Sequence, residues 1–213
     1  MGADAARGGL KTEISDFKRR RIREEASHLF FEHGYESTTI DAIAQRLDVT
    51  KPFIYSYYSN KSDLLFDVCR TGITLSLAAL DRALESESQR SAADRLRQVV
   101  ESVLRIIFDC QEYIVVYERE EKNLDPEKAR EIRELRKLFD HKLAAILAEG
   151  HATGEFDIHD PVLTATTIGG MISWVAFWYS PSGKRTEHEI TTHLIAMVDA
   201  AVGHVSARGE RVT

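Results

Sequence analysis

The chain has few of the residues that build disulfide, metal or phosphate sites. Its only two cysteines, Cys69 and Cys110, are far apart and follow no metal-ligand spacing, so we expect reduced thiols. No Gly-rich phosphate loop or nucleophile elbow is present. His188, Glu189 and His193 come near a zinc-protease HExxH pattern, but the spacing is one residue too long. We therefore expect no enzyme activity, no cofactor and no bound metal.

Long hydrophobic runs are also scarce. The first residues, MGADAARGG, lack the apolar core of a signal peptide. The one extended apolar stretch, residues 162–179, could match a membrane span in length. Its Thr164, Thr166, Thr167 and Ser173, and its amphipathic neighbours, favour a packed helix instead. We expect a cytoplasmic protein with no membrane partner.

Net positive charge is lacking as well, since the formal charge is −6 at pH 7. The acidity is uneven: residues 1–61 contain 10 Lys and Arg against 9 Asp and Glu, whereas the other 152 residues contain 18 against 25. Five cations occur within six positions of the first helix: Lys18, Arg19, Arg20, Arg21 and Arg23. Local charge decides contact with phosphates, so a nucleic-acid surface is expected near the N-terminus.

What the chain has in abundance is helical periodicity. Apolar residues recur at three- and four-residue spacing from near Ser15 onward, and no segment shows the alternation of a strand. The pattern predicts an all-α protein of about nine helices. We divide it into a disordered arm (1–13), a small N-terminal domain (14–61), a larger body (62–206) and a tail (207–213). One helix, starting at Lys61 and running to about Leu84, connects the two domains.

The stretch TTIDAIAQRLDVTKPFIYSYYSNKSDLL, residues 38–65, predicts two short helices joined by a tight turn at Asp48 and Val49. Thr50 can cap the second helix with its hydroxyl, and Ile54 and Tyr58 can face inward. The side chains left outward suit a DNA major groove, because they combine a cation, a hydroxyl and aromatic rings. They are Lys51, Phe53, Ser56 and Tyr57.

At these residues the chain resembles the helix-turn-helix signature of the tetracycline-repressor (TetR) family. The family usually has glycine where this chain has Asp48, a residue that tolerates left-handed dihedral angles. The resemblance implies an N-terminal three-helix DNA-binding domain and a C-terminal helical ligand-binding and dimerisation domain. It also implies DNA contacts, with the Tyr55 and Lys61 positions on phosphates, from Thr39, Thr50, Lys51, Pro52, Phe53, Tyr55, Ser56, Tyr57 and Lys61.

The last two predicted helices differ from the others in having little polar surface. The first starts at Pro161 and contains Gly169 and Gly170, which permit close approach of another backbone. The second starts with a capping box formed by Thr186 and Glu189. We expect this pair to form a homodimer interface, a four-helix bundle with two helices from each chain. The TetR resemblance implies the same arrangement.

Aromatic residues concentrate in the body and could line a ligand pocket between helices. Trp174 and Trp178 are one turn apart and share a face. For any one of these residues, plain core packing is the more common role, but the TetR resemblance implies a pocket. The candidate lining set is Phe108, Tyr113, Tyr117, Phe139, Trp174, Phe177 and Trp178.

The segment ISWVAFWYSPSGKRTEHEI is similar to TetR regulators of lipid, sterol or aromatic-acid breakdown, several of which sense acyl-CoA thioesters. The resulting hypothesis is a homodimeric repressor that binds a palindromic DNA operator and is released by a small, largely apolar effector of the acyl-CoA kind. One alternative is an architectural protein that binds DNA unspecifically and has no pocket. Another is a ligand-binding or catalytic protein with a vestigial motif.

Overall fold

The structure, a computed structural model, describes residues 2–85 and 90–203 and confirms the all-α class: these residues contain no strand. They form eight helices of five or more residues, one helix of four residues and a 3₁₀ turn at Glu121–Asn123. The helices are α1 (Gly2–His33), α2 (Ile40–Arg46), α3 (Lys51–Tyr55), α4 (Lys61–Glu85), α5 (Ala92–Glu120), α6 (Pro126–Thr153), α7 (Pro161–Ser173), α8 (Val175–Trp178) and α9 (Glu187–Ala201).

The first helix is much longer than predicted. Helix α1 begins at Gly2 and covers nearly all of the segment (1–13) that we expected to be a disordered arm. That segment has no proline, so no position lacks a backbone N–H, and its three alanines favour a helix although its three glycines do not. The predicted tail at 207–213, and the end of the predicted body, lie outside the described residues.

Two helical segments differ from the prediction in their continuity. Within α5, Cys110 has φ −137° and ψ 33°, which divides the helix where the sequence predicted two separate helices. The predicted single helix over 162–179 appears as α7 and α8, which are separated only by Trp174, a residue with helical dihedral angles (φ −61°, ψ −23°). We call residues 111–120 the second half of α5. Gln111 at its start donates to the carbonyl oxygens of Ala176 (2.6 Å) and Tyr179 (2.9 Å), which holds α8 against the kink.

The hydrophobic core has two parts, and the second half of α5 belongs to both. The N-terminal part is built on fully buried side chains of α1 to α4, including Ile22, Phe30, Ile43, Ile54 and Leu64. Burying each such side chain contributes about 1.5–3 kcal/mol. Tyr113, Val116 and Tyr117 of α5 complete this cluster, whereas Val115 packs into the cluster of the body. The small domain therefore packs firmly on the body.

A polar clasp joins the starts of α4 and α6. Lys128 Nζ donates to Asp63 Oδ1 (2.6 Å) and Asp125 Oδ2 (2.9 Å), and these hydrogen bonds lower the pKa of both carboxyl groups. Asn60 caps α4, as its side-chain oxygen accepts from the Asp63 backbone N–H at 2.8 Å. The clasp fixes the helix that runs from the small domain into the body.

An apolar face remains uncovered on α7 to α9. The exposed large side chains there are Val162, Leu163, Trp174, Trp178 and Met197. Pro161–Trp178 is the one stretch among the described residues that is long and apolar enough to cross a membrane, a test that helices of soluble proteins also pass. The expected packed helix thus has only part of its surface buried within a single chain.

Gly150→Ala tests the packing at the end of α6. A Cβ at Gly150 would lie only 2.1 Å from Cδ2 of Phe156, whose backbone N–H bonds to the Gly150 carbonyl. We expect a loss of about 1–3 kcal/mol in the free energy of unfolding, which lowers the melting temperature by about 2–4 °C per kcal/mol. The control is Gly9→Ala in α1, where nothing lies within 4 Å and alanine should be neutral or stabilising. An unchanged melting temperature in Gly150→Ala would contradict the described contact.

Candidate DNA-binding surface and ligand cavity

Helices α2 and α3 form the predicted helix-turn-helix. The turn is closed by hydrogen bonds from Asp48 N to Gln45 O (3.2 Å) and from Val49 N to Ala44 O (3.0 Å). Asp48 has φ 53°, the left-handed conformation inferred for it from the sequence. Thr39 caps α2, because its hydroxyl oxygen accepts from Ala42 N at 3.1 Å. Helices α2 and α3 thus have the geometry of a helix-turn-helix, and we call these two helices the reading unit.

Helix α3 presents a mixed polar and aromatic face. Ile54 and Tyr58 are buried, as predicted, and they anchor the helix on the small domain. Phe53 and Tyr57 are half-buried and pack on each other with ring centroids 5.3 Å apart. The exposed residues of this segment are Thr50, Lys51, Pro52, Tyr55 and Ser56.

The predicted cap by the Thr50 hydroxyl is wrong, since that side chain makes no capping hydrogen bond. The N–H at the third helical position donates to the cap in α2, α4 and α9, but in α3 it is engaged elsewhere, and Pro52 at the second position has none. The next N–H, on Phe53, bonds instead to the Thr50 backbone carbonyl at 2.9 Å. The Thr50 hydroxyl is therefore left on the exposed face.

The two lysines predicted to contact DNA differ in their surroundings. Lys51 is exposed and donates to Asp41 Oδ2 at 2.8 Å, a hydrogen bond that raises the pKa of the Lys51 ammonium. Lys61 is half-buried and donates to the backbone oxygens of Tyr35 (2.9 Å) and Thr38 (3.0 Å), beneath the Tyr35 ring. Lys61 therefore holds the loop between α1 and α2, and the structure does not place its ammonium on the exposed face with Lys51.

The second half of α5 holds the small domain on the body. Glu112 Oε1 lies 2.9 Å from His28 Nδ1 of α1, and this hydrogen bond raises the pKa of the imidazole. Glu120 Oε1 accepts from the Tyr35 backbone N–H at 3.1 Å, just after α1 ends. Both carboxylates belong to the same helix, α5, and both bind at or just after α1. A movement of α5 would therefore also move α1.

A largely apolar cavity of about 100 Å³ lies between α4, α5, α6 and α7. Three of the seven aromatic residues predicted to line a pocket meet there, namely Tyr113, Tyr117 and Phe139. The other lining residues come from all four helices, and no sequence pattern marks most of them as pocket residues. They are Gly72, Ile73, Ser76, Val103, Ile107, Ile114, Glu118, Arg136, Asp140, Thr166, Gly169, Gly170, Ile172 and Ser173.

The remaining four predicted aromatic residues lie outside this cavity. Phe108 packs on Tyr179 with ring centroids 4.7 Å apart, and Trp174 stacks on Phe177 at 4.8 Å. Trp178 borders a separate groove along α9. The prediction placed both tryptophans in the pocket because they share a face, but that face of α7 and α8 is exposed to solvent.

One edge of the cavity is polar and was missed as a group. Arg136 Nη1 donates to Glu118 Oε1 at 2.7 Å and also hydrogen-bonds Tyr117. Asp140 lies one turn after Arg136 on α6, and burial raises the pKa of its carboxyl group. Arg136, Phe139 and Asp140 have the spacing of one helix face, but their convergence with Glu118 depends on the tertiary fold. No group of three or more potential metal ligands occurs within 2–85 and 90–203.

Comparison with known proteins agrees with this architecture. Residues 22–68 match the sequence profile described as bacterial regulatory proteins, tetR family, and residues 89–202 match the profile described as tetracyclin repressor-like, C-terminal domain. The transcriptional activator FasR of Mycolicibacterium smegmatis is 29% identical over 106 residues, 49% of this chain and 48% of FasR. The chain thus spans about half the length of that relative.

Two further proteins match over most of their length. The transcriptional repressor KstR2 of Rhodococcus jostii is 24% identical over 196 residues, 91% of each chain. A crystal structure of AibR with isovaleryl coenzyme A and operator DNA superimposes with a TM-score of 0.76 at 25% identity, covering 84% of this chain and 97% of AibR. The chain therefore belongs to the tetracycline-repressor (TetR) family of DNA-binding transcriptional regulators.

Proposed function

We propose that this protein is a homodimeric repressor that acts in the cytoplasm on a palindromic operator and is released by a short acyl-CoA. The observation that carries this proposal is that α4 and α5 each connect the reading domain directly to the cavity. A protein that only bound DNA would need neither the cavity nor these connections to it.

The reading surface is the exposed face of α3. Thr50, Lys51, Pro52, Tyr55 and Ser56 are exposed there, and Thr39 lies at the start of α2. In this arrangement Lys51 would exchange Asp41 for a phosphate or a guanine edge, and the Tyr55 hydroxyl would donate to a phosphate oxygen. A dimer would place two such helices about one DNA turn apart, or a multiple of it, which requires a palindromic site.

The size and the apolar lining of the cavity favour a short acyl group as the effector. A dry cavity of roughly 150 Å³ holds a molecule the size of benzene, so about 100 Å³ matches a short acyl group better than a long chain. The isovaleryl coenzyme A bound to the similar protein AibR supports this choice. The acyl group would lie among Ile73, Val103, Ile107 and Phe139, with the polar coenzyme outside the apolar part.

Both connecting helices can transmit the occupancy of the cavity. Gly72, Ile73 and Ser76 of α4 line the cavity, and the same helix starts in the small domain. Tyr113 and Tyr117 line it from α5, whose Glu112 and Glu120 hold α1 and the loop after it. An effector that pushes these helices outward would change the separation of the two readers. A coupling of about 1–3 kcal/mol changes operator affinity roughly 5- to 150-fold.

The uncovered apolar face on α7 to α9 supports dimerisation. A contiguous exposed apolar surface of this kind marks an interaction site. Helix α9, which carries part of this surface, begins with the predicted capping box of Thr186 and Glu189. Pairing this face with its copy would build the four-helix bundle and bury Trp174, Trp178 and Met197.

Family membership and the cavity argue against the two alternatives raised from the sequence, an unspecific architectural protein and a protein with a vestigial motif. The relative FasR is a transcriptional activator, so the sign of regulation depends on where the operator lies relative to the promoter.

The experiment that tests the proposal is a titration of the operator complex with isovaleryl coenzyme A. Dissociation of the complex supports it, and an unaffected complex contradicts the effector class.

Tyr55→Ala should weaken operator binding by about tenfold or more, equivalent to about 1.4 kcal/mol, because a phosphate contact and its ring are removed. Tyr55→Phe removes the hydroxyl alone and should account for most of the loss. The measurement is fluorescence anisotropy of a labelled operator fragment. Leu138→Ala on α6 is the control, since Leu138 and Tyr55 are 45% and 44% exposed. Wild-type affinity in Tyr55→Ala would remove Tyr55 from the reading surface.

Ile73→Trp should make the protein insensitive to isovaleryl coenzyme A, because the indole would occupy the space of the acyl group. We expect the concentration that half-releases the operator to rise at least about tenfold, with little change in operator affinity. Thr74→Trp adds the same ring at the next, exposed position of α4 and should respond normally. Equal responses of the two variants would place the effector elsewhere.

Met197→Glu should convert the dimer to a monomer, because it buries a charge at the centre of the proposed interface. Leu138→Glu is matched in exposure, 45% against 44%, and should remain dimeric. Sedimentation equilibrium distinguishes the two masses. A dimer in Met197→Glu, at concentrations where the wild type is dimeric, would exclude α9 from the interface.

A further inference from the structure

The five clustered cations of α1 do not share one role. Arg19 Nε and Arg23 Nη1 lie 3.3 Å and 3.5 Å from Asp67 Oδ2 on α4. Tyr58 OH donates to the same oxygen at 2.5 Å, and the Arg19 guanidinium lies 4.7 Å from the Tyr58 ring centroid. Arg19 and Arg23 therefore fasten α1 to α4, and Lys18, Arg20 and Arg21 are the cations of the cluster that do not.

These three cations point in two directions. Successive residues of an α-helix are about 100° apart, so Lys18 and Arg21 lie about 60° apart on one face. Arg20 lies about 160° from Lys18, on the other side of the helix. The Arg20 guanidinium is 5.5 Å from the Phe17 ring centroid and 3.8 Å from Glu24 Oε1.

The face with Lys18 and Arg21 borders the reading unit. The Lys18 ammonium lies 5.7 Å from the ring centroid of Phe53 in α3. Further along the same face, Glu25 Oε1 lies 2.7 Å from Arg46 Nε of α2. Lys18 and Arg21 thus continue the surface formed by α2 and α3 beyond the motif itself.

The cations of the reading surface are few and already paired, so additional cations would matter for DNA affinity. Lys51, the cation at the start of α3, is paired with Asp41, and Lys61 is engaged with backbone oxygens. The whole chain has a formal charge of −6. Arg21 Nη1 also donates to Glu24 Oε2 at 2.7 Å, so Arg21 would exchange this carboxylate for a phosphate, as Lys51 would exchange Asp41. Affinity for DNA depends on cations that neutralise phosphates, and Lys18 and Arg21 lie where they can do so.

We propose that the α1 face formed by Lys18 and Arg21 is a second DNA-binding surface, which contacts backbone phosphates flanking those under α3, and that Arg20 takes no part in it. This surface lies before residue 22, where the match to the family profile begins, on a helix that starts 20 residues earlier. The inference rests on the proposed reading by α3, since that helix fixes where the DNA lies.

The test compares single variants of the full-length protein: Lys18→Gln, Arg21→Gln and Arg20→Gln. Arg20 and Arg21 are closely matched, with side chains 57% and 53% exposed and both near Glu24. Binding is measured by anisotropy on the operator fragment and on a random-sequence duplex of equal length, at several salt concentrations. A lost phosphate contact reduces the slope of log affinity against log salt by about 0.9.

We expect Lys18→Gln and Arg21→Gln each to reduce the slope by about 0.9 on both duplexes, and Arg20→Gln to leave it unchanged. An equal reduction in Arg20→Gln would show a general charge effect and overturn the proposal, as would unchanged slopes in all three variants. Failure of operator reading would appear separately, as equal wild-type affinity for the two duplexes. The slopes on the random duplex would still decide the role of Lys18 and Arg21.

Discussion

The second half of α5 is the constraint on which the other features depend, because it is shared by three parts of the molecule. Tyr113 and Tyr117 form a wall of the cavity, and Glu112 and Glu120 bind α1 and the loop after it. Gln111 binds the carbonyl oxygens at the end of α8, next to the uncovered apolar face. A rigid helical segment with these attachments cannot move for one part without moving for all three. The kink at Cys110 separates it from the first half of α5, which stays in the core of the body.

The distribution of charge follows from a net acidic protein that must bind a polyanion. Many of its N-terminal cations are paired within the chain: Lys51 with Asp41, and Arg19 and Arg23 with Asp67. The Lys51–Asp41 pair is exposed, and exposed pairs contribute little to stability, typically about 0–1 kcal/mol, so exchanging Asp41 for a phosphate costs little. The acidic body discourages unspecific attachment to DNA, which leaves specific recognition to a small, locally balanced surface.

Features set by local sequence could be predicted, because short-range chemistry decides them. The helix-turn-helix, the inward Ile54 and Tyr58, the left-handed Asp48 and the capping box of α9 are examples. The Thr50 cap failed because the Phe53 N–H bonds to the Thr50 backbone carbonyl instead of the hydroxyl, a choice between two acceptors of one residue that the sequence does not decide. The cavity was predicted in part, since Tyr113, Tyr117 and Phe139 converge as expected. The placement of Trp174 and Trp178 was not, because an apolar pattern fits a face buried within one chain as well as the exposed face that these residues occupy. The polar edge of Arg136, Glu118 and Asp140 depends on how α5 and α6 approach each other, which periodicity does not encode.

The central claim is that the chain reads one specific DNA site as a symmetric pair. It is tested most directly by selecting genomic DNA fragments with the purified protein at near-physiological salt and footprinting the best fragment. The account predicts a single protected palindrome whose half-site centres lie about 34–36 Å apart, or a multiple of that distance. Recovery of fragments without a shared sequence, or protection of one unpaired half-site, would contradict it.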